Sequence, residues 1–383
     1  MRYEHALTSA EFDNPYLLNV NLDETIEIDG NKLTAEYIWS LDEQERLDLI
    51  GKIKQYYKTF PKESLTEAYI NGQFEKLKRA NPNKVLNNNG EIKNSATLCL
   101  DVTRYYNRDK FYKVRGENVM SLEDVFQENL EQVLKNRMGW YTSTEDGTER
   151  PYVFNITDKM IRQGIRSSGL GFNVSQFKPL VAKYLYSKYA KEKVLDYSAG
   201  WAARALGALS LGLEYYGIDP STADEVNEVI KKFGKGFCVK NGSEVEESYN
   251  NIPEVDCALS CPPYFQLEQY SEEESQSIVK YSEYTAWLEY YWKPTVQNCV
   301  RKLKKDGYFI LVMIEKHKEH DILNDMKNIV LGEGLCFVEE ISYQTSRNHL
   351  SGKKKTQINT KNTEKVVVFR KENVNENQRF TSI

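Results

Sequence analysis

The residues best equipped for chemistry gather at Cys261-Pro262-Pro263-Tyr264-Phe265, the end of the apolar run Cys257-Ala258-Leu259-Ser260. Two successive prolines stop strand pairing abruptly, because proline lacks an N–H and fixes its own φ. An aromatic side chain is thereby set just past a strand end, where ligands meet open α/β sheets. Cys261 offers two chemistries there. As a thiolate it is a nucleophile, and as a thiol it is a small packed residue that accepts hydrogen bonds weakly. A second group lies upstream. Asp196-Tyr197-Ser198-Ala199-Gly200-Trp201-Ala202 closes one apolar run and opens an Ala- and Leu-rich one. Small residues at such a turn let the backbone approach a ligand, and the helix start offers free N–H groups. Asp219 ends the next apolar run, where a carboxylate can accept both hydroxyls of a ribose. Asn241-Gly242-Ser243 ends the third. Hydride transfer fits this loop poorly, since Gly200 stands alone where a dinucleotide fold has GxGxxG.

These residues need strands and helices to hold them. Strand-like runs fall at Val194–Tyr197, Tyr215–Asp219, Gly236–Val239, Val255–Tyr264 and Gly307–Ile314, with helix-like segments at Trp201–Leu213, Ala223–Phe233 and Tyr284–Leu303. The alternation predicts a mainly parallel sheet covered on both faces. Leu335–Gln344 and Lys365–Arg370 read as a terminal antiparallel strand pair, joined by a long basic connection carrying Arg347, Lys353, Lys354 and Lys355. Residues 1–165 read as a mainly helical domain, with helical patterns at Ser40–Tyr57, Ser64–Ala80 and Ser121–Asn136. The boundary is expected where Gly164, Gly169 and Gly171 loosen the chain. The α/β domain then spans 166–371, and 372–383 is a polar tail.

The totals narrow the classes. Among 383 residues, 51 Lys and Arg against 56 Asp and Glu leave a net charge of −5. No global basic field advertises nucleic acid, so local patches must carry any such role. No run nears the ~18 apolar residues of a membrane span, and none resembles a signal peptide. A cytoplasmic protein without a membrane partner is expected, its scattered cysteines free thiols. The histidines and cysteines form no metal-ligand spacing, so no metal is expected. The acidic run Gln266–Glu273 reads as a solvated loop, with a mobile lid as the alternative. Abundant Tyr, Asn and Lys suit an AT-rich coding sequence, as in many phages.

In order, the Gly200 turn, Asp219, Ser243 and the Pro-Pro-Tyr turn resemble motifs I, II, III and IV of class I S-adenosylmethionine-dependent amino-methyltransferases. The Ala-Gly-Trp turn and Pro-Pro-Tyr-Phe strand end are most similar to the phage-type DNA methyltransferase group. Gly171–Pro179, with Asn173, sits where motif X would lie. The resemblance covers residues 170–371 and implies a Rossmann-like fold with S-adenosylmethionine as cofactor. It implies cofactor contacts at Asn173, Asp196, Ser198, Gly200, Asp219 and Ser243. It further implies a catalytic turn Cys261, Pro262, Pro263 and Tyr264. Phe265 would help hold a flipped DNA base, and Arg347 with Lys353, Lys354 and Lys355 would track phosphates in a bacterial host cytoplasm. The expected product is N6-methyladenine or N4-methylcytosine. The family usually has Asp, Asn or Ser where this chain has Cys261. Three other activities stay open: methylation of RNA or a protein amide, C5 methylation of a pyrimidine through Cys261, and a silent nucleic-acid-binding or assembly module.

Overall fold

The computed structural model describes residues 24–93, 96–116, 119–143, 150–344 and 363–372. Arg347, Lys353, Lys354 and Lys355 lie outside them. The described chain forms two units, one of residues 24–63 with 122–171 and one of 64–121 with 172–372. This differs from the single boundary expected near residue 165.

The first unit is mainly helical. Asp42 and Glu45 form a capping box at the start of the helix Glu43–Tyr56, each side chain accepting from the other's backbone N–H at 2.8 Å. Thr157 caps Asp158–Ser167 by accepting from the Met160 N–H. Ile50 and Ile53 are buried, as are Leu130 and Leu134 of the helix Phe126–Arg137 and Ile161 of Asp158–Ser167. Gly164 does not loosen the chain. It lies within the helix Asp158–Ser167, and a Cβ there would stand 2.3 Å from a Val133 methyl, so glycine permits the helices' close approach.

The second unit is an α/β Rossmann-like domain built on a mainly parallel sheet. Its seven strands are β1 (Lys193–Asp196), β2 (Glu214–Ile218), β3 (Lys235–Val239), β4 (Val255–Ser260), β5 (Leu303–Ile314), β6 (Leu335–Gln344) and β7 (Thr363–Lys371). They stand in the order β6-β7-β5-β4-β1-β2-β3. Strands β1 to β5 run parallel, and β7 is antiparallel to both neighbours, so the expected terminal antiparallel pair is present. Chain order reverses between β1 and β4, the switch point where ligands enter such sheets.

Successive side chains of β4 alternate between the two faces. Cys257 and Leu259 join a core with Val181, Leu206 and Val229 of the helices Pro179–Tyr189, Ala203–Leu209 and Ala223–Phe233. Ala258 faces the opposite core with Val296 of Lys293–Lys302 and Met326 of Ile322–Gly332.

Residues 64–121 belong to this unit because they complete the first of these cores. Ile70, Phe74 and Leu77 of the helix Glu67–Arg79 are buried in it, and the Phe74 ring stacks on Phe233 at 4.1 Å. The buried Lys183 ammonium donates to the carbonyls of Leu77, Lys78 and Ala80 at 2.7, 2.7 and 3.0 Å. A cation thus satisfies the orphan carbonyls at that helix's C-terminus.

Candidate active site

Everything around the site belongs to the second unit. β1 ends at Asp196, and Tyr197 locks the strand end, its ring stacked on Phe309 at 5.2 Å and its hydroxyl donating to the Ile310 carbonyl. The chain then turns through Gly200 and Ala202, with φ of 55° and 65°, into the helix at Ala203. Glycine reaches that backbone region without strain; Ala202 holds it at a cost of about 1–2 kcal/mol.

Asp196 is fully buried and completely engaged. One carboxylate oxygen accepts from Arg204 Nε at 2.8 Å and the Tyr215 hydroxyl at 2.6 Å. The other accepts from the Ser260 hydroxyl at 2.8 Å and the Ser198 N–H at 3.3 Å. Arg204 also donates to the Ser198 carbonyl.

At the end of β2, Asp219 accepts from the backbone N–H groups of Gly200, Ser221 and Thr222 at 2.9, 2.9 and 2.8 Å. The Thr222 hydroxyl returns a bond to the Gly200 carbonyl. The two loops are thereby tied into one cradle. Burial raises the Asp219 pKa, and the three N–H donors oppose that rise.

A cavity of about 300 Å³ opens beside this cradle. Ser198, Gly200, Asp219, Ser243, Cys261, Pro262, Pro263 and Tyr264 line it, so the structure brings eight of the expected site residues to one wall. Three others are placed elsewhere. Asp196 sits behind the wall and holds Arg204, which lines the cavity in its stead. Asn173 is off the wall, and its segment reaches the cavity through Ser175, Gln176 and Phe177. Phe265 is core, its ring 5.3 Å from Tyr284 and 5.8 Å from Trp287.

The expected long helix Tyr284–Leu303 is present but interrupted by a π-helical turn, Leu288–Trp292. That turn brings Tyr291 to the cavity, 3.5 Å from the Ser198 hydroxyl. Cys261 Sγ lies 3.2 Å from the Tyr264 hydroxyl, and burial pushes its thiol pKa well above the ordinary range. A thiolate is therefore disfavoured at the turn.

Two carboxylates escaped the sequence reading. Glu364, at the start of β7, and Glu268 are each 5 % exposed and both line the cavity. Glu268 accepts from the Tyr270 hydroxyl, and Glu364 stands close enough to Tyr264 for that hydroxyl to oppose the rise of its pKa. Burial pushes each up to about 7. Gln266–Glu273 is thus no simple solvated loop: Glu268 and Gln269 pair with Gly116 and Arg115, and Glu268 turns inward. Glu364 was legible in principle, since it shares the inward register of β7 with Val366 and Val368. Arg204 also had a signal, as a lone charge in an Ala- and Leu-rich segment eight residues after a strand-end aspartate.

Among the described residues, no group of three His, Cys, Asp or Glu side chains is placed to hold a metal, and no helix is long and apolar enough to cross a membrane. No protein-family model and no curated protein matches the chain. Solved structures do share features of its fold. A methyltransferase from Pyrococcus furiosus is 14% identical, over 53% of this chain and 90% of that one, with a TM-score of 0.34. A TehB-like SAM-dependent methyltransferase from Corynebacterium glutamicum is 15% identical over 52% and 90%, also at 0.34. The N-methyltransferase NodS from Bradyrhizobium japonicum, in complex with S-adenosyl-L-homocysteine, is 13% identical over 51% and 84%, at 0.33. These likenesses are distant, and any activity must be argued from this chain's own residues.

Proposed function

We propose that this protein is an S-adenosylmethionine-dependent methyltransferase acting on an exocyclic amine of a DNA base. One observation carries the reading: the Gly200 turn, Asp219 and the Pro262-Pro263-Tyr264 turn converge on a single cavity at the carboxyl ends of parallel strands, beside the switch point.

The cavity suits such a cofactor. Asp219 keeps lone pairs beyond its three backbone partners, enough to accept from ribose hydroxyls. At Gly200 a Cβ would meet nothing closer than 3.8 Å, so the turn presents bare backbone and open space. The cofactor would supply an electrophilic methyl group on its sulfonium.

The chain's own part is positioning, which can supply most of such a rate. The proline pair leaves backbone carbonyls free to accept an amine N–H. Tyr264 forms the aromatic wall for a planar base. The raised pKa of Cys261 speaks for an amine acceptor over C5 chemistry. DNA as the substrate rests on the turn's resemblance and on the basic residues Arg347, Lys353, Lys354 and Lys355.

Calorimetry with S-adenosylmethionine tests the cofactor, and nucleoside mass spectrometry of DNA from cells expressing the protein tests the product. N6-methyladenine or N4-methylcytosine is expected. Absence of cofactor binding would leave a silent module, and a methylated RNA or protein amide would move the substrate class.

A further inference from the structure

Resting on that reading, we propose that Glu364 accepts the proton of the amine being methylated, taking the place of the polar residue that Cys261 does not supply. Three observations lead there.

The first is the deficit. A thiol is a weak acceptor, and Cys261 already faces the Tyr264 hydroxyl. Ser260, the neighbouring hydroxyl, is fully buried and spent on Asp196 and the Ser198 carbonyl.

The second is the delivery. β7 is antiparallel, so its first residues lie at the end of the sheet where the parallel strands finish. Glu364 pairs there with Ile314 of β5 and Tyr343 of β6. Its inward register turns it to the cavity, alongside Tyr343.

The third is the link to the turn. Glu364 and Tyr264 line the cavity together and interact, and the Tyr264 hydroxyl in turn lies 3.2 Å from Cys261 Sγ. The carboxylate is thereby coupled to the Pro-Pro-Tyr turn.

In the step, the amine lone pair forms a bond to the sulfonium methyl carbon. The carbon–sulfur bond breaks, and its electron pair stays on sulfur as a neutral thioether. The methylated nitrogen, now cationic, passes one proton to the Glu364 carboxylate. The resulting carboxylic acid later returns that proton to water. A carboxyl group held near 7 is suited to both halves of this exchange. The charged and titratable groups facing it are Tyr264 and Cys261 from the turn, Glu268, Tyr343 of β6, and Lys178 before the helix Pro179–Tyr189.

The test compares wild type with Glu364→Gln in the full chain. Cofactor affinity by calorimetry should stay within about twofold. Turnover should fall about 100-fold or more, in the range general-base removal usually costs. The wild-type rate should rise with pH through neutrality, and the variant's profile should be flat there. One readout needs no activity: the melting temperature of Glu364→Gln should exceed that of wild type at pH 8 and match it at pH 4.5. If Glu364→Gln does not fold, Glu364→Asp decides. A drop of tenfold or more with the pH dependence retained supports the proposal, and unchanged turnover overturns it. A wild type that binds cofactor and methylates, beside a Glu364→Gln with the same rate and pH profile, overturns this proposal alone. A wild type that binds no cofactor overturns the function itself.

Discussion

The buried pair Asp196–Arg204 gives the sharpest stability prediction. Consider Asp196→Asn. The side chain keeps its shape, and its remaining oxygen can still accept from Ser260 and Ser198. The new amide nitrogen, however, would point at Arg204 Nε and the Tyr215 hydroxyl, so donor meets donor where two bonds of 2.8 and 2.6 Å stood. Tyr215 can rotate its hydrogen away, but Arg204 cannot. The guanidinium is left as a buried cation without its anion, which costs about 3–5 kcal/mol. For a unit of this size, about 2–4 °C per kcal/mol gives a fall in melting temperature of roughly 6–20 °C. Calorimetric or urea unfolding measures it. Arg204→Met in the same chain should recover a large part of the loss, because an apolar pair of similar volume is often no worse than a buried ion pair. A loss below about 1 kcal/mol for Asp196→Asn, or a double variant less stable than the single, would refute the assignment of this pair as the pillar of the turn.

Asp219→Ala should weaken S-adenosylmethionine binding roughly ten- to a hundredfold, since charge-assisted bonds are worth about 1.5–3 kcal/mol; calorimetry measures it, and unchanged affinity would remove Asp219 from the cofactor. Tyr264→Phe should lower turnover about tenfold with little change in cofactor affinity, because it removes the hydroxyl that contacts Cys261 and stands beside Glu364 while leaving the ring. Cys261→Ser should stay active, and a duplex containing 5-fluorocytosine should form no covalent adduct; an adduct visible by mass would revive C5 chemistry. For Glu268 and Glu364 the folded-state pKa is about 7 against an ordinary 4.5. The unfolded chain therefore ionises first. Their contribution to stability is intact below about pH 4.5, falls as pH rises through 4.5 to 7, and is flat above. The gap corresponds to about 3 kcal/mol for each group at 1.36 kcal/mol per pH unit. Glu268→Gln should thus melt higher than wild type at pH 8, with the difference vanishing near pH 4.5.

The alternation of apolar runs with helical patterns revealed the sheet, because parallel strands buried on both faces leave strong, continuous apolar signals. Strand-end turns were equally legible: Gly200, Asp219 and the proline pair announce themselves by residue type. What the sequence hid were side chains placed by pairing rather than by composition. Glu364 reaches the cavity only because β7 runs antiparallel and brings the far end of the chain to the site. Glu268 was masked by an acidic neighbourhood, since charge runs are solvated more often than not. Asp196 stands behind the cavity wall for the opposite reason. Its position at the strand end is right, but Arg204 reaches back across a helical turn and claims it. The split of residues 1–165 was invisible because Glu67–Arg79 looks like any other amphipathic helix until Lys183 is seen to cap it.

The interleaving of the two units bears on how the chain emerges from the ribosome. The polypeptide passes between them three times, after residues 63, 121 and 171. The helix Glu67–Arg79 is made early, yet the wall it packs on, from Val181 to Val229, is synthesised more than a hundred residues later. Its apolar stripe of Ile70, Phe74 and Leu77 must wait uncovered in the interval, the kind of exposure that invites chaperone binding and slows folding through long-range closure. A fragment beginning at residue 166 would carry every residue of the Gly200 cradle and still lack one wall of its core. It should come out of cells as aggregate, whereas a fragment beginning at residue 64 retains that wall.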